Sequence, residues 1–237
     1  MSAEYLTHDA LPARHGFFTR RGGVSEGPYA SLNASLSGGD DIGHVTQNRA
    51  LVAGALGVPA DRLVGVKQVH GTRVVTVTHA WPQGEGPEAD ALVTAVPGLA
   101  IGVITADCAP VLLYDARAGV LEAALAAMAA LGATAAGTTA IIGPCIGQDS
   151  YEVGPDLRDA VLPTLPDAER CFRPGRGDRF WFDLAEYCAA RLTAAGIQAC
   201  HALAVDTLTH GDRFFSHRRR TLGAGGPIGH QISAIRL

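Results

Sequence analysis

Between residues 63 and 114 the chain contains five short apolar runs, separated by glycine, proline and polar residues. Runs of four to eight residues bounded by turn residues are typical of β-strands, whereas helices usually need ten or more. The predicted strands are Leu63–Val69, Arg73–Thr78, Ala91–Ala95, Leu99–Thr105 and Pro110–Tyr114. A chain with this pattern has to build much of its core on a sheet.

Helices are predicted on both sides of this strand-rich region. The first begins at Asp40 or Asp41 and ends near Gly57. The others cover Leu121–Leu131, Pro155–Leu162 and, after the capping residue Asp183, the residues up to Ala195. Further strands are predicted at Thr139–Ile142, Ile197–Val205 and Gln231–Ile235, and residues 15–33 predict a long surface loop. Because strands and helices do not alternate strictly, we expect a mixed-sheet α/β or α+β fold, with a single domain over residues 1–237.

Composition excludes several classes of protein. Of the 237 residues 47% are hydrophobic and 18% are charged, which argues against disorder, and a net charge of −4 argues against nucleic acid or an anionic membrane as partner. Five cysteines without a C-x-x-C pair favour a reducing compartment, and the N-terminus lacks the pattern of a signal peptide. The uncharged stretch 123–148 is interrupted by glycines and Pro144, so it does not predict a membrane span. We therefore expect a cytoplasmic protein.

Reactive side chains concentrate in three segments at predicted strand ends, 67–71, 105–110 and 143–147. The first contains His70, the second contains Asp107 and Cys108, and the third contains Cys145. Imidazole and thiolate together suit zinc or copper, provided that the segments meet in space. The alternatives are a turn histidine with a satisfied hydrogen bond, a buried structural thiol, and a small residue in a tight turn.

Two basic segments are candidate anion sites. Residues 206–220 contain two histidines and four arginines, and Arg20 and Arg21 precede a pair of glycines. Arginine binds phosphate and carboxylate through paired hydrogen bonds, but a solvated basic turn explains the same pattern. The glycine-rich phosphate-binding motifs are absent, so the sequence does not support nucleotide binding by such a loop.

Several motifs in this order resemble the bacterial laccase-domain proteins, also called the multicopper polyphenol oxidase or YfiH-like family, which is associated with purine nucleoside phosphorylase activity. The resemblance covers essentially the whole chain. The matching motifs are FFTRRGGVSEGPYASLN, VTQNR, VKQVHG, ADALVT, TADCAPVLLYD, IGPCIGQDSYEVG, WFDL and DRFFSHRR. The resemblance implies layered mixed sheets and helices, and a metal site of two histidines and one cysteine, of which His70 and Cys108 are two members.

The third ligand of the family is not found in this sequence. In the family a strand carrying H-A-G-W-R-G follows the TADC segment, but here residues 115–120 lead straight into a helix-like sequence. Either the protein lacks this strand and its metal site is incomplete, or residues are missing from the printed sequence after Gly119 or Val120, near 119–121. We favour the second explanation, because deleting a central strand would leave its neighbours unpaired.

The resemblance implies a zinc-dependent purine nucleoside phosphorylase that cleaves adenosine, inosine or guanosine with phosphate, and that could also deaminate adenosine. His70, Cys108 and Asp107 are the predicted catalytic residues. The predicted substrate or phosphate contacts are Arg20, Asn33, Gln68 and Arg218, with Gln68 also able to support a ligand. The sequence does not fix the oligomeric state.

Three alternatives remain open. The older family name implies copper-dependent oxidation of phenols, although the nine histidines include no H-x-H pair. Cys108 could instead be a nucleophile with histidine as its base, in a hydrolase that acts on an amide or ester such as a cell-wall precursor. A scaffold that has lost its site would explain the missing motif, but folding alone does not require both His70 and Cys108.

Overall fold

The computed structural model describes residues 2–116, 120–122 and 125–237, without the side chains of 120–122, 125 and 126. Its strands are β1 (Tyr5–Leu6), β2 (Arg14–Phe18), β3 (Leu63–Val64), β4 (Val74–Thr76), β5 (Ala91–Thr94), β6 (Ala100–Thr105), β7 (Val111–Asp115), β8 (Val120–Glu122), β9 (Thr138–Ile142), β10 (Glu152–Val153), β11 (Phe172–Pro174), β12 (Phe180–Phe182), β13 (Ala199–Ala202) and β14 (Gln231–Arg236). Its α-helices are α1 (Ile42–Leu56), α2 (Leu125–Ala130), α3 (Pro155–Val161), α4 (Leu184–Ala194) and α5 (His217–Leu222).

The five-stranded sheet has the order β1-β2-β14-β6-β3. Strand β3 runs parallel to β6, whereas β14 runs antiparallel to it, with Gln231 opposite Thr105. The chain therefore leaves β3, leaves β6 and enters β14 at the same edge of the sheet. We call this edge, with the residues that follow Val64 and Thr105 and those that precede Gln231, the site edge.

The six-stranded sheet has the order β13-β9-β7-β8-β5-β4 and packs face to face on the five-stranded sheet. Phe17, Val103 and Ile235 of the first sheet share one apolar cluster with Leu92 and Leu112 of the second. All five side chains are at least nine-tenths buried. Burial of apolar surface between the two sheets is the main favourable free energy available to this arrangement.

Helices cover the outer face of each large sheet. Helix α1 is capped by the Asp41 carboxylate, which accepts from the His44 N–H, and it ends at Gly57 with φ +72°. Its apolar face packs on the five-stranded sheet, while α2 and α4 pack on the six-stranded sheet. The resulting layers are helix, sheet, sheet and helix. They confirm the predicted mixed α+β architecture.

The third sheet, of order β10-β12-β11, packs against α3 and α4 through an aromatic cluster. The Phe172 and Phe182 rings stack with centroids 4.6 Å apart. Its strands are two or three residues long, too short for the periodicity of the sequence to predict them. The predicted helix after Asp183 is confirmed, with the Glu186 N–H donating to the Asp183 carboxylate.

Several predicted elements differ in extent. The predicted strand Leu63–Val69 ends at Val64, and beyond it Lys67 makes only one isolated bridge, to Glu88. The predicted strand Ile197–Val205 shortens to Ala199–Ala202, and within the predicted loop 15–33 the first residues belong to β2. The pattern of apolar residues did not reveal these strand ends, because they depend on where the neighbouring strand no longer supplies backbone hydrogen-bond partners.

The predicted helix Leu121–Leu131 is wrong at its start. Residues 120–122 form β8, which pairs with β5 on one side and β7 on the other, and the helix begins at Leu125. Tertiary pairing here overrides the helical propensity of the sequence. The neighbours of β8 are thus paired without an additional strand, which removes our physical reason for favouring missing residues. The interruption near 119–121 falls partly on residues 117–119, outside the described residues, and stays a prediction.

Within the described residues, no helix has the length and apolar character needed to cross a membrane.

Candidate functional site

The site edge brings together the two residues that the sequence singled out as metal ligands. His70 follows β3 and Cys108 follows β6, and these strands are adjacent and parallel. The His70 Nε2 lies 3.8 Å from the Cys108 Sγ, and both side chains are exposed. The two residues are 38 positions apart in sequence, and the parallel pairing of β3 with β6 brings them together.

His70 is held by a carboxylate that the sequence analysis did not single out. Asp90, just before β5, accepts hydrogen bonds from the backbone N–H groups of Val69, His70 and Gly71, the last two at 2.8 and 2.7 Å. His70 has φ +56°, in the left-handed region that non-glycine residues seldom adopt. The three bonds explain how the loop keeps this conformation. The only sequence signal for Asp90 was its position in the ADALVT motif.

Cys108 is positioned through its neighbour Asp107, which is buried and has φ +90°. The Asp107 carboxylate accepts from the Thr207 hydroxyl at 2.6 Å, the Ser216 hydroxyl at 2.9 Å and the Arg218 N–H at 2.6 Å. All of its donors come from a segment about a hundred residues away. A carboxylate with three donors is suited to orienting Cys108 and the start of α5, while its role in proton transfer stays a prediction.

The Cys108 thiol is a weak acid in this environment. Cys108 is exposed by its total surface, but partial loss of water around the thiol raises the pKa of that thiol, and the neighbouring Asp107 charge adds to the effect. The thiol is therefore protonated at neutral pH unless a bound cation or another charge stabilises the thiolate.

Gln68 supports the same loop from the other side. Its Nε2 donates to the Ile104 carbonyl at 3.0 Å, and its Oε1 accepts from the Ile104 N–H at 2.7 Å. The side chain thus continues the pairing of β3 with β6 where the backbone of the loop turns away. Both polar atoms are used in this contact, which orients the His70 loop. A substrate contact by Gln68 stays a prediction.

Arg20 and Asn33, predicted to bind substrate or phosphate, both have protein partners. The Arg20 guanidinium donates to the carbonyls of Ala30 and Gly211 and lies over the Phe215 ring at 4.4 Å. Asn33 is completely buried, donates to Asp40, and accepts from the N–H groups of Ser35 and His230. These contacts tie residues 19–40 to the C-terminal segment, and a direct contact with a ligand stays a prediction for both residues.

Arg218 borders an open cleft of about 470 Å³. Its guanidinium donates to the Glu152 carbonyl, and its backbone N–H donates to Asp107. The lining also includes Tyr151, Asp156 and Arg179. Arg218 therefore belongs both to the wall of the cleft and to the group of donors that bind Asp107.

Tyr151 is a further residue that the sequence analysis missed. It lines the cleft, and burial raises its pKa, with the nearby Cys108 as the second cause. Its phenol therefore stays protonated and lies within electrostatic reach of the thiol. Its only sequence signal was the SYEVG part of a family motif. Tyr151 thus lines the cleft and interacts electrostatically with one member of the His70–Cys108 pair.

Cys145 lies close to this region but is not an exposed thiol. It is buried, and burial raises its pKa to about 12. A thiol with this pKa is inert at neutral pH, so the alternative of a small residue in a tight turn is supported. Cys171, Cys188 and Cys200 also have raised pKa values, in each case mainly through burial.

The His70–Cys108 pair fits two ligands of one zinc ion. Bonds of about 2.1 Å to an imidazole nitrogen and 2.3 Å to a thiolate, at a tetrahedral angle, place the two ligand atoms about 3.6 Å apart. The observed separation is 3.8 Å. In the part of the chain that the structure describes, no His, Cys, Asp or Glu residues form a group of three able to hold a metal. The distance between His70 and Cys108 fits two of the three predicted ligands, and their role as ligands stays a prediction.

Comparison with known proteins shows which family this fold and sequence belong to. The sequence model of the family described as multi-copper polyphenol oxidoreductase laccase matches residues 14–237. A Streptomyces coelicolor protein named purine nucleoside phosphorylase is 39% identical, over 89% of this chain and 92% of its own length. Among solved structures, YlmD from Geobacillus stearothermophilus is 28% identical with a TM-score of 0.90, covering 100% of this chain and 96% of its own. A Neisseria meningitidis protein is 31% identical with a TM-score of 0.87, covering 100% and 99%.

The Streptomyces coelicolor relative is longer than this chain within the aligned region. The match spans 226 residues, whereas 89% of 237 residues is about 211, so about 15 residues of the relative have no counterpart here. Both explanations of the missing H-A-G-W-R-G motif, a shorter protein and residues absent near 119–121, predict such a difference in length. The match over residues 14–237, the relatives and the shared fold together show that the chain belongs to the multi-copper polyphenol oxidoreductase laccase family, the YfiH-like proteins.

Proposed function

We propose that this protein is a purine nucleoside phosphorylase. The observation that carries the proposal is the approach of His70 Nε2 and Cys108 Sγ to 3.8 Å, in a chain whose relatives have this name. Arg218, whose N–H donates to the Asp107 carboxylate next to Cys108, lines an open cleft. In this reaction a phosphate oxygen bonds to C1′ of the ribose while the bond from C1′ to the purine nitrogen breaks. The electron pair of that bond leaves with the base, which takes up a proton.

We also propose that His70 and Cys108 hold a zinc ion. Their separation fits two ligands, and the neutral imidazole and thiolate are donors that zinc prefers. Asp90 would then keep the His70 loop in position, and Asp107 would do the same for Cys108. When bound, zinc supplies Lewis-acid stabilisation of charge that develops on the nucleoside.

The cleft residues have roles in this proposal that their contacts support. Tyr151 offers an aromatic ring and a phenol to a purine, since its hydroxyl is protonated and near the Cys108 thiol. The carboxylate of Asp156 in the cleft wall can accept hydrogen bonds from ribose hydroxyls. Deamination of adenosine is a second proposed activity of the same pair, in which the oxygen of a water bonds to C6 of the purine while the bond from C6 to the amino nitrogen breaks and ammonia leaves.

A cysteine hydrolase is the alternative that one observation favours, namely the thiol and imidazole at 3.8 Å. It requires a thiolate nucleophile, whereas burial and Asp107 raise the pKa of Cys108. Copper oxidation is less well supported. It needs several clustered histidines, and the described residues contain no group of three potential ligands.

The test is release of free base from adenosine and inosine, with and without phosphate, by the wild-type protein and the His70→Ala and Cys108→Ala variants. We expect release that needs phosphate and falls at least ~100-fold in both variants, as is usual when a catalytic group is removed. Metal content is measured on the same samples, and we expect zinc near one equivalent in the wild type only.

Two matched variants are the controls. His79 is exposed and Cys200 is half-buried on β13, and neither lies at the site edge. We expect His79→Ala and Cys200→Ala to keep base release. Absence of base release by a zinc-loaded wild-type protein would overturn the proposal, and phosphate-independent loss of an amide or ester substrate would favour the hydrolase.

A further inference from the structure

Three nitrogen-bearing side chains meet beside the site edge without a negatively charged partner. His217 and Arg220 lie one turn apart on α5, with Arg220 Nη2 3.4 Å from His217 Nε2, and His230 immediately precedes β14. Burial lowers the pKa of His230, and then the nearby His217 and Arg220 lower it further. We call these residues the 217–220–230 cluster. Among the described residues, no carboxylate forms an ion pair with any of them.

The cluster contains buried nitrogen atoms that lack a hydrogen-bond partner. In the described part of the chain four buried side-chain polar atoms have none, and two of them are Arg220 Nε and His230 Nδ1. The Arg220 guanidinium is held in place by a bond from Nη1 to the Gly226 carbonyl at 3.2 Å. Arg220 Nε always carries a hydrogen, and a buried donor without an acceptor is costly, so this nitrogen indicates an acceptor that binds there. His230 Nδ1 is a second donor in the tautomer that carries its hydrogen on Nδ1.

The other arginines of this region use part or all of their guanidinium groups on backbone carbonyls. The guanidinium of Arg219 donates to the carbonyls of Phe214, Thr207 and Leu208, while those of Arg20 and Arg218 donate to carbonyls as described above. These bonds hold loops together. Of the arginines near the site, Arg220 is the one whose Nε is buried and unpaired.

The cluster is connected to the His70–Cys108 pair on two sides. His230 precedes Gln231, which lies opposite Thr105 at the end of β6, three residues before Cys108. On the other side, Ser216 and the Arg218 N–H donate to Asp107, which adjoins Cys108. An anion bound by the cluster would therefore lie at the same edge of the sheet as the proposed zinc ligands.

We infer that the 217–220–230 cluster binds the dianionic phosphate group that attacks the nucleoside, with Arg220 as its main charged contact. The inference rests on the proposed function, and it commits to free inorganic phosphate as the source of that group. A tetrahedral oxyanion has enough acceptor positions for the Arg220 Nε, a His230 nitrogen and His217 together, and its charge offsets the mutual repulsion within the cluster.

The experiment measures binding of radiolabelled inorganic phosphate by equilibrium dialysis, without nucleoside, to the wild type and to Arg220→Gln, Arg220→Lys and His230→Gln. We expect Arg220→Gln to weaken phosphate binding ~10- to 100-fold, because a charge-assisted contact is lost. Arg220→Lys should recover part of the loss, and His230→Gln should show a smaller one. In base release, the same variants should raise the KM for phosphate more than that for inosine.

The matched control is Arg170→Gln, since Arg170 is exposed and paired with Glu186, and it should bind phosphate as the wild type does. Unchanged phosphate affinity in a folded Arg220→Gln protein would overturn the inference while leaving the phosphorylase proposal intact. Phosphate binding that needs Arg220 in a protein without base release would support the site and discard the phosphorylase. Binding of AMP, but not of free phosphate, through Arg220 would also overturn the inference. If Arg220→Gln does not fold, His230→Gln and Arg220→Lys decide by the same criteria.

Discussion

Two carboxylates support the two halves of the proposed metal pair in different ways. Asp90 is half-buried and binds three consecutive backbone N–H groups of the His70 loop, about twenty residues away in sequence. Asp107 is buried and binds two hydroxyls and one N–H from a segment about a hundred residues away. The difference indicates that Asp90 shapes a local loop, whereas Asp107 fastens the C-terminal segment to the sheet. Loss of the Asp107 carboxylate should therefore lower the stability of the fold, whereas loss of the Asp90 carboxylate should lower activity and leave stability nearly unchanged.

The largest expected effect is that of Asp107→Asn. Asparagine tolerates the positive φ at this position, so the change tests the hydrogen bonds rather than the backbone. An amide leaves at least one of three buried donors without an acceptor, and we expect a loss of about 3 kcal/mol in the free energy of unfolding. Urea denaturation measures it. A loss below about 1 kcal/mol would contradict the anchoring role of Asp107.

The Asp90→Ala variant should separate activity from stability. The freed N–H groups of the exposed loop can bind water, so we expect a loss of at most about 1 kcal/mol in the free energy of unfolding. The His70 loop, with its positive φ, would lose its support, and kcat/KM for base release should fall ~10- to 100-fold. Both quantities are measured on one preparation. A stability loss equal to that of Asp107→Asn would remove the distinction between the two carboxylates.

The carboxylate of Asp206 offers a further test, because its effect on stability should depend on pH. Burial acts to raise the pKa of Asp206, but bonds from the Ser150 hydroxyl and the N–H groups of Gly147 and Leu208 outweigh it and hold the pKa below its usual value. A lowered folded pKa contributes stability above the unfolded value of about 3.9, and this contribution is lost as the pH falls through the folded value. Below about pH 4 the free energy of unfolding should therefore fall less steeply in Asp206→Asn than in the wild type.

If the free energy of unfolding falls with the same slope below pH ~4 in the wild type and in Asp206→Asn, this carboxylate does not stabilise its loops as Asp107 does. Urea denaturation at a series of pH values from neutral to about pH 2 measures both slopes.

Local signals in the sequence determined part of this protein. The caps of α1 and α4 were readable because Asp41, Gly57 and Asp183 act on residues within one turn. The strand-rich region and the mixed fold class followed from short apolar runs. The sequence singled out His70 and Cys108 because they stand in motifs at strand ends, and the family resemblance implied a metal site for them, which stays a prediction.

Only the tertiary structure decided how the site is supported. The roles of Asp90 and Tyr151 depend on strand order, and β8 replaced the first part of a predicted helix because β5 and β7 offer backbone partners on both sides. The arginines near the site also show that the sequence does not reveal which side chains have partners. Their sequence segments made Arg20 and Arg218 the predicted phosphate contacts, which stay predictions, but only the structure shows that both guanidinium groups donate to backbone carbonyls, whereas the Nε of Arg220 is buried and unpaired. A motif fixes which groups a segment carries, and contacts between distant segments fix which of those groups remain available to a ligand.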